Sequence, residues 1–239
     1  MKIRIINIVS ISILIGLVAC TSSEVADSKD VSQSQIYQKY YASWDAENES
    51  TYVEAVYRFG GSKGTSLVLS QPSTITVNDK ELNGTKKLLR GYVYGNKSIK
   101  FNTEEIEFSF TNTENIRYKN AYPIIPIALQ SLPDSFYRTN GLRLTISGRP
   151  LNASEEFHVK IKDSKGLDFT FKTDLKGSST IYIEPSELSE LSAGLINIQI
   201  TRVFQEELKD CAEIGGFSEI EYHSKIYTSR ISYNQISNS

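Results

Sequence analysis

The chain has 239 residues, 26 basic and 28 acidic side chains, and a formal net charge of −2. Its longest basic cluster is Lys86-Lys87 with Arg90, so the basic face of a nucleic-acid-binding protein is excluded. Two cysteines and two histidines are too few for a disulfide framework or a His/Cys metal cluster.

In chain order, the first element is a leader. Lys2 and Arg4 open it, and residues 5–18 are apolar except for Asn7, Ser10, Ser12 and Gly16. A positive start, a short apolar core and small residues at the end describe a secretory signal. The core is shorter than the roughly 20 apolar residues of a spanning helix. The ending Leu17-Val18-Ala19-Cys20 resembles the lipobox of bacterial lipoproteins. That resemblance implies a signal peptide over 1–19, cleavage before Cys20, and acylation of Cys20, which would hold the protein to a membrane. One acyl chain binds only marginally, whereas two or more hold stably. Thr21, where an Asp would favour inner-membrane retention, implies the outer membrane if the host has one. The competing reading is an ordinary signal peptide with an incidental cysteine, or an uncleaved anchor.

Residues 21–35 are polar apart from Val25, Ala26 and Val31. Such a composition buries too little surface to fold, and predicts a flexible tether over 20–35. Cleavage would remove Lys2 and Arg4 and no acid, leaving 24 basic and 28 acidic side chains, a net charge of −4. With Cys20 lipidated, Cys211 is the only thiol left and no internal disulfide can form. Its neighbours Glu206, Glu207, Asp210 and Glu213 disfavour a thiolate, so a packed, inert thiol is expected.

From residue 36 onward the dominant signal is alternation, the mark of half-buried strands. Val53, Ala55, Tyr57 and Phe59 share one face, against Glu54, Val56 and Arg58. Ile106, Phe108 and Phe110 repeat the pattern, as do Phe157, Val159 and Ile161, and then Ile196, Ile198 and Ile200. Strands wet on one side and buried on the other belong to antiparallel sheets. Turn residues separate them: Gly60 to Gly64, Asn78-Asp79, and Asp163-Ser164-Lys165-Gly166 as a hairpin. One short helix is predicted over Pro185 to Leu191, since Pro185 suits a first turn.

Pro123, Pro126 and Pro133 cannot donate to a ladder and belong at edges or connections. They divide the chain into two expected units, 36–122 and 123–239. The fold class is all-β: two tandem antiparallel β-sandwich domains, with one larger sandwich as the alternative. At fold level, residues 123–239 resemble an immunoglobulin-like domain. The antibody-type Cys…Trp…Cys core is missing, because Trp44, the only tryptophan, lies in the other half.

Chemistry-bearing motifs are scarce. His158 falls among Glu156, Lys160 and Lys162 on a solvated face, and His223 shares parity with Glu221 and Lys225. Neither neighbours Cys211, and no nucleophile elbow or zinc-binding helix occurs. The acid pairs Glu104-Glu105, Glu155-Glu156 and Glu206-Glu207 point to opposite faces of strands, not across a cleft as glycosidases need. Asp45 to Ser50 alternates oxygen ligands, yet lacks the glycine and glutamate of a calcium loop and reads as a hairpin. The aromatics Tyr40, Tyr41 and Trp44 are candidate ligand contacts, since sugars stack on such rings, although strands and cores use the same residues.

The expectation is therefore a lipid-anchored cell-envelope protein with a non-catalytic binding or structural role. Its partners would be the membrane through Cys20 and another envelope protein or a glycan, with no cofactor and no metal. A glycan-binding lipoprotein and an envelope hydrolase are the alternatives.

Overall fold

The computed structural model describes residues 24–99, 105–173 and 176–232. The signal peptide and Cys20 lie outside these residues. The chain opens with β1 (Val25–Asp27), then β2 (Ile36–Asp45), β3 (Ser50–Phe59), β4 (Thr65–Val68), β5 (Thr74–Val77), β6 (Lys80–Glu81), β7 (Gly84–Lys87) and β8 (Gly91–Ile99). It continues with β9 (Glu105–Thr111), β10 (Arg117–Pro123), β11 (Ala128–Ser131), β12 (Ser135–Phe136), β13 (Leu142–Ser147), β14 (Glu155–Lys162) and β15 (Asp168–Thr173). β16 (Thr180–Ile183), β17 (Gly194–Glu207), β18 (Gly216–His223) and β19 (Tyr227–Ile231) complete it. The described residues form an all-β molecule, with 3-10 turns as the only helical elements.

Three sheets organise the strands. The largest runs β1-β4-β3-β2-β18-β17-β14-β15, with β8 and β7 extending from β3 and β19 beside β17. The second is β10-β9-β5-β6 and the third β11-β13-β16. Each small sheet covers part of the large one, in the manner of a β-sandwich. The first core joins Tyr40, Ala42, Val53 and Tyr57 of the large sheet to Ile75, Phe108, Phe110 and Tyr122 of the second. Tyr40 stacks on Phe108 with ring centroids 4.6 Å apart. The second core joins Val159, Ile161, Ile196, Ile198 and Ile200 to Leu142, Leu144, Ile181 and Ile183 of the third sheet.

Successive side chains on a strand alternate between faces. On β17, Ile196, Ile198 and Ile200 belong to the second core, while Phe204, of the same parity, packs on the first. One face of one strand thus serves both cores. Between them sits Arg202, 2% exposed, ion-paired to Glu155 at 3.2 Å and lying over the Phe157 ring. Arg149 clasps the same carboxylate with two hydrogen bonds of 2.7 and 2.6 Å.

Several expectations change. Residues 25–35, read as tether, are part of the fold. β1 pairs in parallel with β4, and Ala26 and Val31 pack against the first core. The Gln33 amide donates to Ser28 O at 2.7 Å and Val31 O at 3.0 Å. Its oxygen accepts from the Thr113 N–H. These polar side chains replace water as backbone partners, which composition does not register.

The helix expected over Pro185 to Leu191 is a run of turns. Its hydrogen bonds span three residues, as from Leu188 N–H to Pro185 O and from Leu191 N–H to Leu188 O. Leu188 and Leu191 are nonetheless buried in the second core. Residues 224–226 separate β18 from β19.

After the expected boundary at 122 and 123, Ile124 still packs on the first core and Ile127 belongs to the second. The chain then returns across it. β18 pairs in parallel with β2 from Gly216↔Gln38 to His223↔Asp45, and Leu208 and Ile220 complete the first core.

The hairpin predictions hold. β14 and β15 pair through the 163–166 turn, where the Asp163 carboxylate accepts from the Lys165, Leu167 and Ser192 N–H groups. At the 60–64 turn, a Cβ on Gly64 would lie 1.8 Å from Phe59 O, so only glycine fits. The Asp45 carboxylate is occupied by the Glu47 and Asn48 N–H groups of its own turn, the hairpin reading of that acidic segment.

Candidate binding groove on the open sheet face

The face of the large sheet opposite both cores carries the odd-numbered residues of β2 and β17 and their register partners. Directly paired residues share a face, so the register lays His158, Thr201 and His223 side by side on three strands. The next row holds Glu156, Val203, Glu221, Ser43 and Tyr52. The two histidines, far apart in sequence, are thus neighbours but one across the sheet. His223 Nδ1 meets Thr201 Oγ1 at 2.8 Å and its Nε2 meets Glu221 at 3.0 Å. His158 pairs with Glu156 at 2.5 Å. Glu155 points inward and Glu156 outward, as alternation requires.

The Tyr41 hydroxyl donates to Glu221 at 2.7 Å. Burial pushes the Glu221 carboxyl up, but hydrogen bonds from His223 and Tyr41 outweigh it and hold the carboxyl below its usual range. Burial and the neighbouring Glu221 push the Tyr41 phenol up, so it stays a neutral donor. No group of three or more His, Cys, Asp or Glu side chains among the described residues is arranged to hold a metal ion.

Beside this polar strip, a groove of about 490 Å³ opens over β2, β3 and the β7–β8 turn. Its lining includes Lys39, Tyr41, Tyr52, Glu54, Val56, Arg58, Leu89, Arg90 and Glu219. Tyr41 and Tyr52 form a tilted ring pair, centroids 5.9 Å apart. Glu54, only 5% exposed, accepts from the Arg90 guanidinium and from the Tyr52 hydroxyl. Burial and that carboxylate push the Tyr52 phenol up to about 12. Arg58 donates to two backbone carbonyls, Gly64 O at 3.0 Å and Arg90 O at 3.3 Å, fixing the walls of the groove to each other. With three cationic side chains and two carboxylates around a tyrosine pair, the groove presents donors, acceptors and flat apolar surface together.

The three candidate aromatics separate. Tyr41 lines the groove. Tyr40, its neighbour of opposite parity, is fully buried against Phe108 and touches no ligand. Trp44 has Tyr40's parity, so it lies on the other face, paired in register with Tyr222. Tyr52, close to those three in the sequence though not one of the candidate contacts, pairs with Ser43, which puts it on Tyr41's face. Cys211 is a free, half-buried thiol, pushed up by burial and by Asp210 and Glu207, as its acidic setting led one to expect. No described helix is long and apolar enough to cross a membrane.

No model of a known protein family matches the chain, and no curated protein matches it. Among solved structures, a tetra-tandem repeat from the extending region of a large adhesion protein aligns with 79% of this chain and 49% of its own, at 11% identity and a TM-score of 0.24. A structure described for host cell surface retention of a 1.5-MDa bacterial ice-binding adhesin aligns with 82% of this chain and 64% of its own, at 14% identity and a TM-score of 0.21. The chain therefore spans about half of the first of these structures and under two thirds of the second. At such scores the likeness defines neither a fold nor a function for this chain.

Proposed function

We propose that this is a lipid-anchored protein of the cell envelope, held at Cys20, whose role is non-catalytic binding. The groove over β2 and β3 is its ligand site. The two cores are read as two sandwich units, the second immunoglobulin-like, sharing one sheet. The observation that carries the proposal is the groove itself: a concavity of about 490 Å³ on an otherwise open sheet face, with a tyrosine pair and fixed cations. Small-molecule sites are concave, and placed polar groups in them fix the ligand's orientation.

A glycan is the ligand that Tyr41 and Tyr52 favour, since their rings offer flat apolar surface and their hydroxyl oxygens, whose protons go to Glu221 and Glu54, offer acceptors. Isothermal titration against a polysaccharide panel tests it. Binding that Tyr52→Ala weakens about tenfold, roughly the 1.4 kcal/mol of an interface anchor, supports it; no binding to any polysaccharide removes the glycan reading. The anchor is tested separately. A palmitate analogue should label the wild type and not Cys20→Ala, and equal labelling would refute it.

A further inference from the structure

The β7–β8 turn carries the two most exposed large apolar side chains among the described residues, Leu88 at 89% and Leu89 at 73%. Other exposed apolar residues, such as Ile116 and Leu195, are scattered singly and need no explanation. Leu88 and Leu89 instead sit together at a hairpin tip, between Lys86 and Lys87 on one side and Arg90 on the other. A basic cluster with apolar residues at its apex, on a protein of negative net charge, matches the interface of an anionic bilayer, where cations meet headgroups and apolar side chains enter the acyl boundary.

The fold places this tip where the chain enters. β1 pairs Val25 with Ser66, and the Ser66 hydroxyl accepts from the Tyr92 N–H at 2.7 Å. Gly91 lies against the same serine, and Arg58 ties Gly64 O to Arg90 O. Cys20 precedes Val25 by five residues, a reach of at most about 18 Å even fully extended. A lipid on Cys20 would therefore lie within that reach of Val25, at the end of the sheet that carries Leu88 and Leu89, and Lys63 in the 60–64 turn belongs to the same end.

Resting on the anchored reading, we propose that the β7–β8 tip is a second membrane contact, seated in the headgroup layer of an anionic bilayer beside the lipid on Cys20. Two contacts fix an orientation where a lipid alone would leave the protein free to swing. Because β2 and β18 start at this end and β17 runs antiparallel to β18, the second core, which takes the start of β17, projects away from the membrane.

The test uses the lipidated protein in vesicles, with an environment-sensitive NBD dye on Leu88→Cys or, as control, on Leu195→Cys at the distal start of β17, both in Cys211→Ser. Vesicles of phosphatidylethanolamine with phosphatidylglycerol should shift the residue-88 dye to shorter wavelength and allow quenching by spin-labelled lipid, while the residue-195 dye stays as in water. Phosphatidylcholine vesicles, or Lys86→Glu with Lys87→Glu, should reduce the shift. A residue-88 dye as water-exposed as the control, on protein still labelled by palmitate, overturns the docking and leaves the anchor standing. Loss of the palmitate label, with protein washing off the vesicles, overturns both.

Discussion

Arg202 and Glu155 are each 2% exposed and meet where one core gives way to the other. A buried guanidinium is tolerated only when paired and hydrogen-bonded. Here it donates to Glu155 and to Arg149 O. Burial pushes the Glu155 carboxyl up, but hydrogen bonds from Arg149 and the Asn152 N–H, with Arg202 beside it, hold it below its ordinary 4.5. Glu155→Gln removes the charge and strands Arg202, so chemical denaturation near neutral pH should show a loss of about 3–5 kcal/mol. The pH dependence has a definite sign. A carboxyl whose folded value is depressed contributes fully above its unfolded value, and that contribution is lost as pH falls through the folded one. The gap between wild type and Glu155→Gln should therefore be widest above pH 4.5 and narrow on acidification below it. A gap independent of pH would show that the carboxylate's charge is not what holds Arg202.

At the scale of elements, the legible parts were those whose partners lie nearby in sequence. Alternation at 157–161 and 196–200 gave strands on the right faces, and Asn78-Asp79, both with positive φ, marked the β5–β6 hairpin. Parity alone separates Tyr40 from Tyr41, so half of the groove's aromatic pair was within reach. Tyr52 was not, because its neighbour in space is set by the register of β2 on β3. Residues 25–35 were illegible for another reason: their order comes from Gln33 and Ser28 reaching backbone groups near Thr113 and Ser70, contacts with no local signature. Gln33→Ala strips the Thr113 N–H and the Ser28 and Val31 carbonyls of their side-chain partner, at a cost of about 1–3 kcal/mol. Hydrogen exchange should then show faster exchange in β1 and at Thr113, with β14 and β17 unaffected. Uniform acceleration across the chain would mean that the segment is integral to the cooperative core.

Across the whole molecule, the decisive strand is β17. Its 14 residues span about 48 Å at the rise of an antiparallel strand, enough to floor both cores. Its C-terminal half, the loop that follows and β18 supply Phe204, Leu208 and Ile220 to the first core, and β18 fills the ladder position beside β2. A fragment ending at residue 122 lacks those side chains and leaves β2 with an unpaired edge, which invites aggregation. A fragment beginning at 123 keeps the second core but exposes the apolar end of β17. The two expected units are therefore coupled although each has its own core. Residues 24–122 expressed alone should give the narrow amide dispersion of an unfolded chain, and mixing them with 123–232 should restore a dispersed spectrum. The intact protein should lose near-ultraviolet dichroism from both cores in one transition. Two separated transitions, or a well-dispersed spectrum from the first fragment alone, would show that the shared strand does not bind the cores into one folding unit.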